Sequence, residues 1–155
     1  MEPIKLIALD LDGTLFDNNG IISAENIDAI RKATALGINV VISTGRPLMG
    51  IPIEQIRGTG IQYGITTNGS AIYDIITGEC LFENPMQDNV VFPIIDFLLT
   101  KDIHMDAFCC GKGYTPEKCR PAAQAIDAPE SLKNYILNTR VVVPDLISYL
   151  KSNHL

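Results

Sequence analysis

Two aspartates, Asp10 and Asp12, stand two positions apart at the end of a mostly apolar run, Ile4 to Leu9, and Gly13 and Thr14 follow directly. Carboxylates emerging from a buried strand are costly unless hydrogen bonds, water or a cation offset their desolvation. Oxygen donors in small number suit magnesium, which binds few carboxylates and keeps several of its waters. Gly13 lets the backbone turn sharply toward a ligand, and Thr14 adds a hydroxyl. An isolated pair of this kind reads better as a strand end closing in an Asx turn, with both carboxylates solvated. Here the pair has a companion. A second mostly apolar run, Ile38 to Ile42, also ends in small polar residues, Ser43-Thr44-Gly45-Arg46-Pro47.

The segment between the two clusters decides whether they can cooperate. Ser23 is a good N-cap, Glu25 lies in the first turn after it, and Ala29, Ile30, Ala33 and Leu36 recur at helical spacing. Gly37 is the expected stop. Strand, helix and strand joined by a right-handed crossover make the strands parallel. Both clusters then lie at carboxyl ends of strands, the edge where open α/β sheets bind ligands. Asp10 and Thr44, 34 positions apart, are expected to meet in space.

Further along, Pro47 to Arg57 reads as a helix closed by Gly58-Thr59-Gly60, and Tyr63 to Thr67 as a third strand with a turn at Asn68-Gly69. Ala71 to Ile76 and Cys80 to Phe82 flank Thr77-Gly78 as a hairpin. The style changes at Asn84-Pro85, which sets a boundary between residues 1–84 and 85–155. Val91, Ile94, Ile95 and Leu98 mark an amphipathic helix, with Pro93 tolerable only near its first turn. Ile103 to Cys109 reads as a strand, Pro116 to Ala125 and Pro129 to Leu137 as helices, and Pro144 as the first position of a last helix carrying Leu146, Ile147 and Leu150.

Composition removes several function classes. The 155 residues are 46% hydrophobic and 19% charged, with a net charge of -6. A pI near 4.8 argues against nucleic-acid backbone binding, which concentrates Lys and Arg. No apolar run reaches the roughly 18 residues of a membrane span. Met-Glu-Pro-Ile-Lys lacks the pattern of a secretory signal, so a cytoplasmic location is expected. Cys80, Cys109, Cys110 and Cys119 form no C-x-x-C pair and read as reduced thiols that pack. His104 and His154 are isolated, and Lys101, Lys112, Lys118, Lys133 and Lys151 read as solvated surface charge.

Asp10-Leu11-Asp12-Gly13-Thr14-Leu15 resembles the first signature motif of the haloacid dehalogenase-like superfamily, and Val41-Ile42-Ser43-Thr44-Gly45-Arg46-Pro47 resembles its second. The stretch from Ile4 to Ile72, with Thr67-Asn68-Gly69-Ser70, is similar to the Cof-type phosphatases, which carry a class II cap. The resemblance implies an α/β fold with a Rossmann-like parallel sheet. Residues 1–84 would be the N-terminal half of that core, and residues 85–155 part of an α+β cap. It implies a magnesium-dependent phosphatase of small phosphorylated metabolites, such as sugar phosphates or flavin-type nucleotides. Asp10 would be the nucleophile that forms an aspartyl-phosphate, and Asp12 the general acid and then base. Magnesium would be held by the Asp10 side chain and the Asp12 backbone carbonyl. Thr44 and Gly45 would hold phosphoryl oxygens, and Arg46 would touch the substrate or support the site.

The resemblance also implies a later lysine and an acidic motif that usually contains Gly-Asp. The sequence contains no Gly-Asp dipeptide, and none of its later lysines follows the expected pattern. The chain is therefore expected to be the front part of a longer phosphatase, impaired by itself. Its first strand would be an exposed edge prone to homodimer formation or strand swapping. The alternative is a non-catalytic fragment, a binding or interaction module that keeps the fold and weak phosphate or magnesium binding.

Overall fold

The computed structural model describes residues 2–153. These residues fall into two compact units that divide between Asn84 and Pro85.

The first unit is built on a five-stranded sheet in the order β1-β2-β3-β4-β5. Its strands are β1 (Leu6–Leu9), β2 (Asn39–Ser43), β3 (Tyr63–Thr66), β4 (Ala71–Asp74) and β5 (Cys80–Glu83). β1, β2 and β3 are parallel, with Leu9 beside Ile42 and Ser43 beside Ile65. β3, β4 and β5 continue antiparallel. Helix α1 (Ala24–Ala35) makes the crossover from β1 to β2, and the Ser23 hydroxyl caps it by accepting from the Asn26 amide. Gly37 closes it with a positive φ of 79°. The carboxyl ends of β1 and β2 therefore share one edge of the sheet, as the crossover argument requires.

The buried face of α1 keeps Ile30 and Ala33 of the sequence reading and leaves out Ala29 and Leu36. Ile30 is buried with Ile27 and Ala33 against it, whereas Ala29 and Leu36 are exposed. Alanines are too small to mark a helix face, and the two isoleucines three apart define it. The helix expected from Pro47 to Arg57 is broken into a single turn at Leu48–Gly50 and a short α2 (Ile53–Ile56). Pro52 has no amide to carry a hydrogen-bond ladder across the gap. β1 lies at the edge of the sheet, as the sequence reading expects of the first strand. Its Leu6 is 56% exposed.

The second unit holds a three-stranded sheet of β6 (Ala107–Cys109), β7 (Lys112–Pro116) and β8 (Arg140–Val143). β6 and β7 form a hairpin whose two-residue turn is Cys110-Gly111, both at positive φ. β7 and β8 pair in parallel across α4 (Arg120–Gln124) and α5 (Glu130–Thr139). Helix α3 (Asp88–Leu98) and α6 (Leu146–Ser152) supply Ile95, Leu146 and Leu150 to a core shared with Met105, Tyr114, Cys119 and Val143. Pro93 lies in the middle of α3, not in its first turn, and Ile94 faces outward. Pro144 precedes α6 without opening it. Asp145 is the cap, and its carboxylate accepts from the Ser148 amide at 3.0 Å. Those bonds hold the Asp145 carboxyl below its usual pKa range.

Two strands of this unit were not expected. Lys112–Pro116 has no hydrophobic alternation, and Arg140–Val143 begins on an arginine whose side chain is buried. That arginine donates to Asp106 at 2.5 Å, and Asp106 also accepts from the Thr115 hydroxyl. Its guanidinium lies over the rings of Phe108 and Tyr135, 5.1 and 4.9 Å from their centroids.

Candidate active site

The loop after β1 sorts its residues by side. Leu11 and Leu15 turn into the core, while Asp10, Asp12, Gly13 and Thr14 are exposed. Gly13 takes a φ of 74°, a conformation that costs a side-chain-bearing residue about 1 kcal/mol or more. The Phe16 amide donates to the Leu11 carbonyl at 2.9 Å and closes the loop. The Thr14 hydroxyl donates to Asp10 Oδ2 at 3.2 Å, which fixes the orientation of that carboxylate.

The loop after β2 reaches across to it. Arg46 Nε and Nη2 donate to the two oxygens of Asp12, each at 2.7 Å. This is the two-pronged arrangement that guanidinium and carboxylate form best. Arg46 Nη1 donates to the Gly50 carbonyl at 3.1 Å, and the guanidinium lies 4.9 Å from the centre of the Phe16 ring. Its side chain is 12% exposed and that of Asp12 is 40% exposed. The two polar clusters thus meet, through Arg46 and Asp12.

Thr44 is buried, and its Oγ1 accepts from the Arg46 amide at 3.2 Å. That bond leaves the hydroxyl proton available to another acceptor. The loop after β3 completes the edge. The Thr67 amide donates to the Arg46 carbonyl and the Asn68 amide to the Thr44 carbonyl. Thr67 and Asn68 both have positive φ. A Cβ at Gly45 would lie 3.0 Å from Asn68 Oδ1, so a side chain there would have to push the Asn68 amide aside. Asn68 and Phe16 are neighbours of the site to which the sequence reading assigns no role there, although Asn68 lies in the Thr67-Asn68-Gly69-Ser70 stretch of the resemblance. The position of Asn68 just past a parallel strand's carboxyl end was the available signal; nothing marked Phe16.

The donor chemistry fits a hard divalent cation with few protein ligands. Asp10 offers an exposed carboxylate held at one oxygen only by a hydroxyl, and Asp12, its side chain engaged by Arg46, has a backbone carbonyl to offer. Among the described residues no three His, Cys, Asp or Glu side chains gather as a metal cage.

Outside this edge, the remaining candidates have structural partners. His104 lies 3.3 Å from Asp106. Lys118 donates to the Leu99 carbonyl, and Lys101 and Lys151 lie over the rings of Phe97 and Phe92, so these three are not simply solvated. The four cysteines are free thiols, and burial pushes Cys109 and Cys119 up in pKa. His154 lies outside the described residues. No helix among the described residues is long and apolar enough to cross a membrane.

Comparison with known proteins agrees with this geometry. The family model described as haloacid dehalogenase-like hydrolase matches residues 7–151. The chain is 33% identical over 118 residues to phosphatase YwpJ of Bacillus subtilis, covering 76% of this chain and 41% of that protein. It is 38% identical over 106 residues to the 5-amino-6-(5-phospho-D-ribitylamino)uracil phosphatase YwtE of the same organism, covering 68% and 36%. A solved haloacid dehalogenase-like hydrolase from B. subtilis superposes with a TM-score of 0.78 at 26% identity, covering 96% of this chain and 57% of that one. The chain thus spans about two fifths of the length of these curated relatives. With the motif loops meeting at one sheet edge and the family model covering most of its length, the chain belongs to the haloacid dehalogenase-like hydrolases.

Proposed function

We infer that this chain carries the nucleophile-bearing part of a magnesium-dependent phosphomonoester hydrolase acting on small phosphorylated metabolites in the cytoplasm. The observation behind the reading is the pairing of two exposed carboxylates after β1 with the Thr44-Gly45-Arg46 loop after β2. The relative named for a phosphorylated ribityl compound supports the substrate class. Residues 1–84 are read as the N-terminal half of the core and residues 85–155 as part of the cap.

In this reading an Asp10 carboxylate oxygen attacks phosphorus. The phosphorus–oxygen ester bond breaks, and the leaving alcohol takes a proton from Asp12. Asp12 then takes a proton from water, the resulting hydroxide displaces Asp10 from phosphorus, and orthophosphate leaves. Thr44 and Gly45 receive the phosphoryl oxygens. The Asp10 side chain and the Asp12 backbone carbonyl would hold magnesium, whose charge would let a carboxylate approach a phosphate.

Hydrolysis of p-nitrophenyl phosphate by the 155-residue chain, with and without magnesium, tests this beside Asp10→Asn. The expected result is slow turnover that needs magnesium and falls to background in the variant. Turnover that survives Asp10→Asn removes Asp10 as the nucleophile. No turnover in either supports the second reading, a non-catalytic binding module. The exposed β1 edge, with Ile4 69% and Leu6 56% exposed, further leads us to expect pairing with a second copy. Sedimentation as a monodisperse monomer would count against it.

A further inference from the structure

Arg46 is the most tightly held cation at the candidate site. Its backbone amide donates to Thr44 Oγ1, and its carbonyl accepts from Thr67. One guanidinium nitrogen is pinned to Gly50, and Phe16 lies under the guanidinium plane. The other two nitrogens donate to the two oxygens of Asp12. This is not the environment of a free surface arginine, whose head exchanges partners with water. The backbone that fixes Arg46 is also the backbone of the Thr44-Gly45 loop: the three residues are consecutive, and the Arg46 amide donates to Thr44 Oγ1.

Resting on the phosphatase reading above, we propose that Arg46 is a positioning residue which holds Asp12 until a phosphoryl group arrives at Thr44 and Gly45 and takes over the fork. A phosphoryl dianion carries more charge than the Asp12 carboxylate and offers the same two-oxygen geometry. As the fork turns to it, the freed Asp12 carboxylate takes a proton from solvent, which it can then give to the leaving oxygen. Lysine could supply the charge at this position but not the two-pronged grip.

The test reads the side chain itself and needs no turnover. The Arg46 Nε–H signal is followed by nuclear magnetic resonance in the 155-residue chain during titration with orthophosphate. The same is done for Asp12→Asn. Phosphate affinity is also measured in Arg46→Gln and in the double variant, with the amide spectrum as the check on folding. Three results are expected. The Arg46 signal shifts when Asp12 is replaced. It moves saturably with orthophosphate in the wild type. Asp12→Asn tightens phosphate binding by at least about twofold when Arg46 is present, the lower end for groups in direct contact, and not when residue 46 is Gln. An Arg46 signal indifferent to phosphate overturns the proposal. So does equal tightening in both backgrounds, which would reflect only the lost negative charge at Asp12. Loss of the Asp10 reading would show in the turnover assay and leave this titration unchanged.

Discussion

Asp106→Ala is expected to cost the unit that begins at Pro85 about 3–5 kcal/mol, the usual penalty for removing one partner of a buried ion pair. Asp106 is the common acceptor of Arg140 and Thr115, and His104 lies 3.3 Å away. The side chains of Asp106 and Arg140 are 9% and 6% exposed. Burial pulls the Arg140 pKa down, the bond to Asp106 pulls it up, and the balance is upward. A guanidinium keeps its charge in any case, and without Asp106 it is left buried beside two rings with its carboxylate gone. A domain holds only about 5–15 kcal/mol in total, so the loss is expected to open this unit. Hydrogen exchange read by peptide locates the effect: protection should fall across β6, β7 and β8 and persist in β1, β2 and β3. Combining Asp106→Leu with Arg140→Met removes both charges and keeps the volume, so the double variant should be more stable than Asp106→Ala. A single variant within 1 kcal/mol of wild type would show that the pair holds nothing together.

The contrast between this network and the active-site edge explains what could be read from the sequence. The crossover from β1 to β2 was legible because its cues are local: a capping serine at Ser23, a left-handed stop at Gly37 and two apolar runs. Parallel pairing then forced the Asp10 and Thr44 loops to one edge, whatever their side chains did. Which residue would bridge them was not legible, because the Asp12–Arg46 fork depends on Gly50 and Phe16 supporting the guanidinium. In the second unit the governing contacts are long-range. Arg140 and Asp106 are 34 positions apart, and each alone reads as surface charge. β7 was missed because its sequence, Lys-Gly-Tyr-Thr-Pro, obeys the needs of that network and not an alternating pattern. A Cβ at Gly113 would fall 2.6 Å from Arg140 Cδ, so the strand carries glycine where a strand former would be expected.

Leu11→Ala is expected to cost the first unit about 2–5 kcal/mol, the range for emptying a buried leucine site. Leu11 has no exposed surface and packs in the core that includes Leu15, Ile22 and Ile42. It is also the residue between Asp10 and Asp12, and its carbonyl takes the Phe16 amide that closes the loop. The anchoring side chain and the two exposed carboxylates are therefore one short piece of backbone. A cavity under it should lower stability and loosen the grip of Arg46 on Asp12 together. Leu11→Met, close in volume, should cost less than about 1.5 kcal/mol and leave that grip intact. Denaturant unfolding followed at first-unit peptides gives the first quantity, and the Arg46 Nε–H signal gives the second. If the alanine variant loses stability while the Arg46 signal stays unchanged, the loop is held by its own hydrogen bonds and not by the core beneath it. If both change in step, burial of one leucine sets the geometry of both carboxylates, which ties the apolar position inside the Asp10 to Asp12 motif to the chemistry on either side of it.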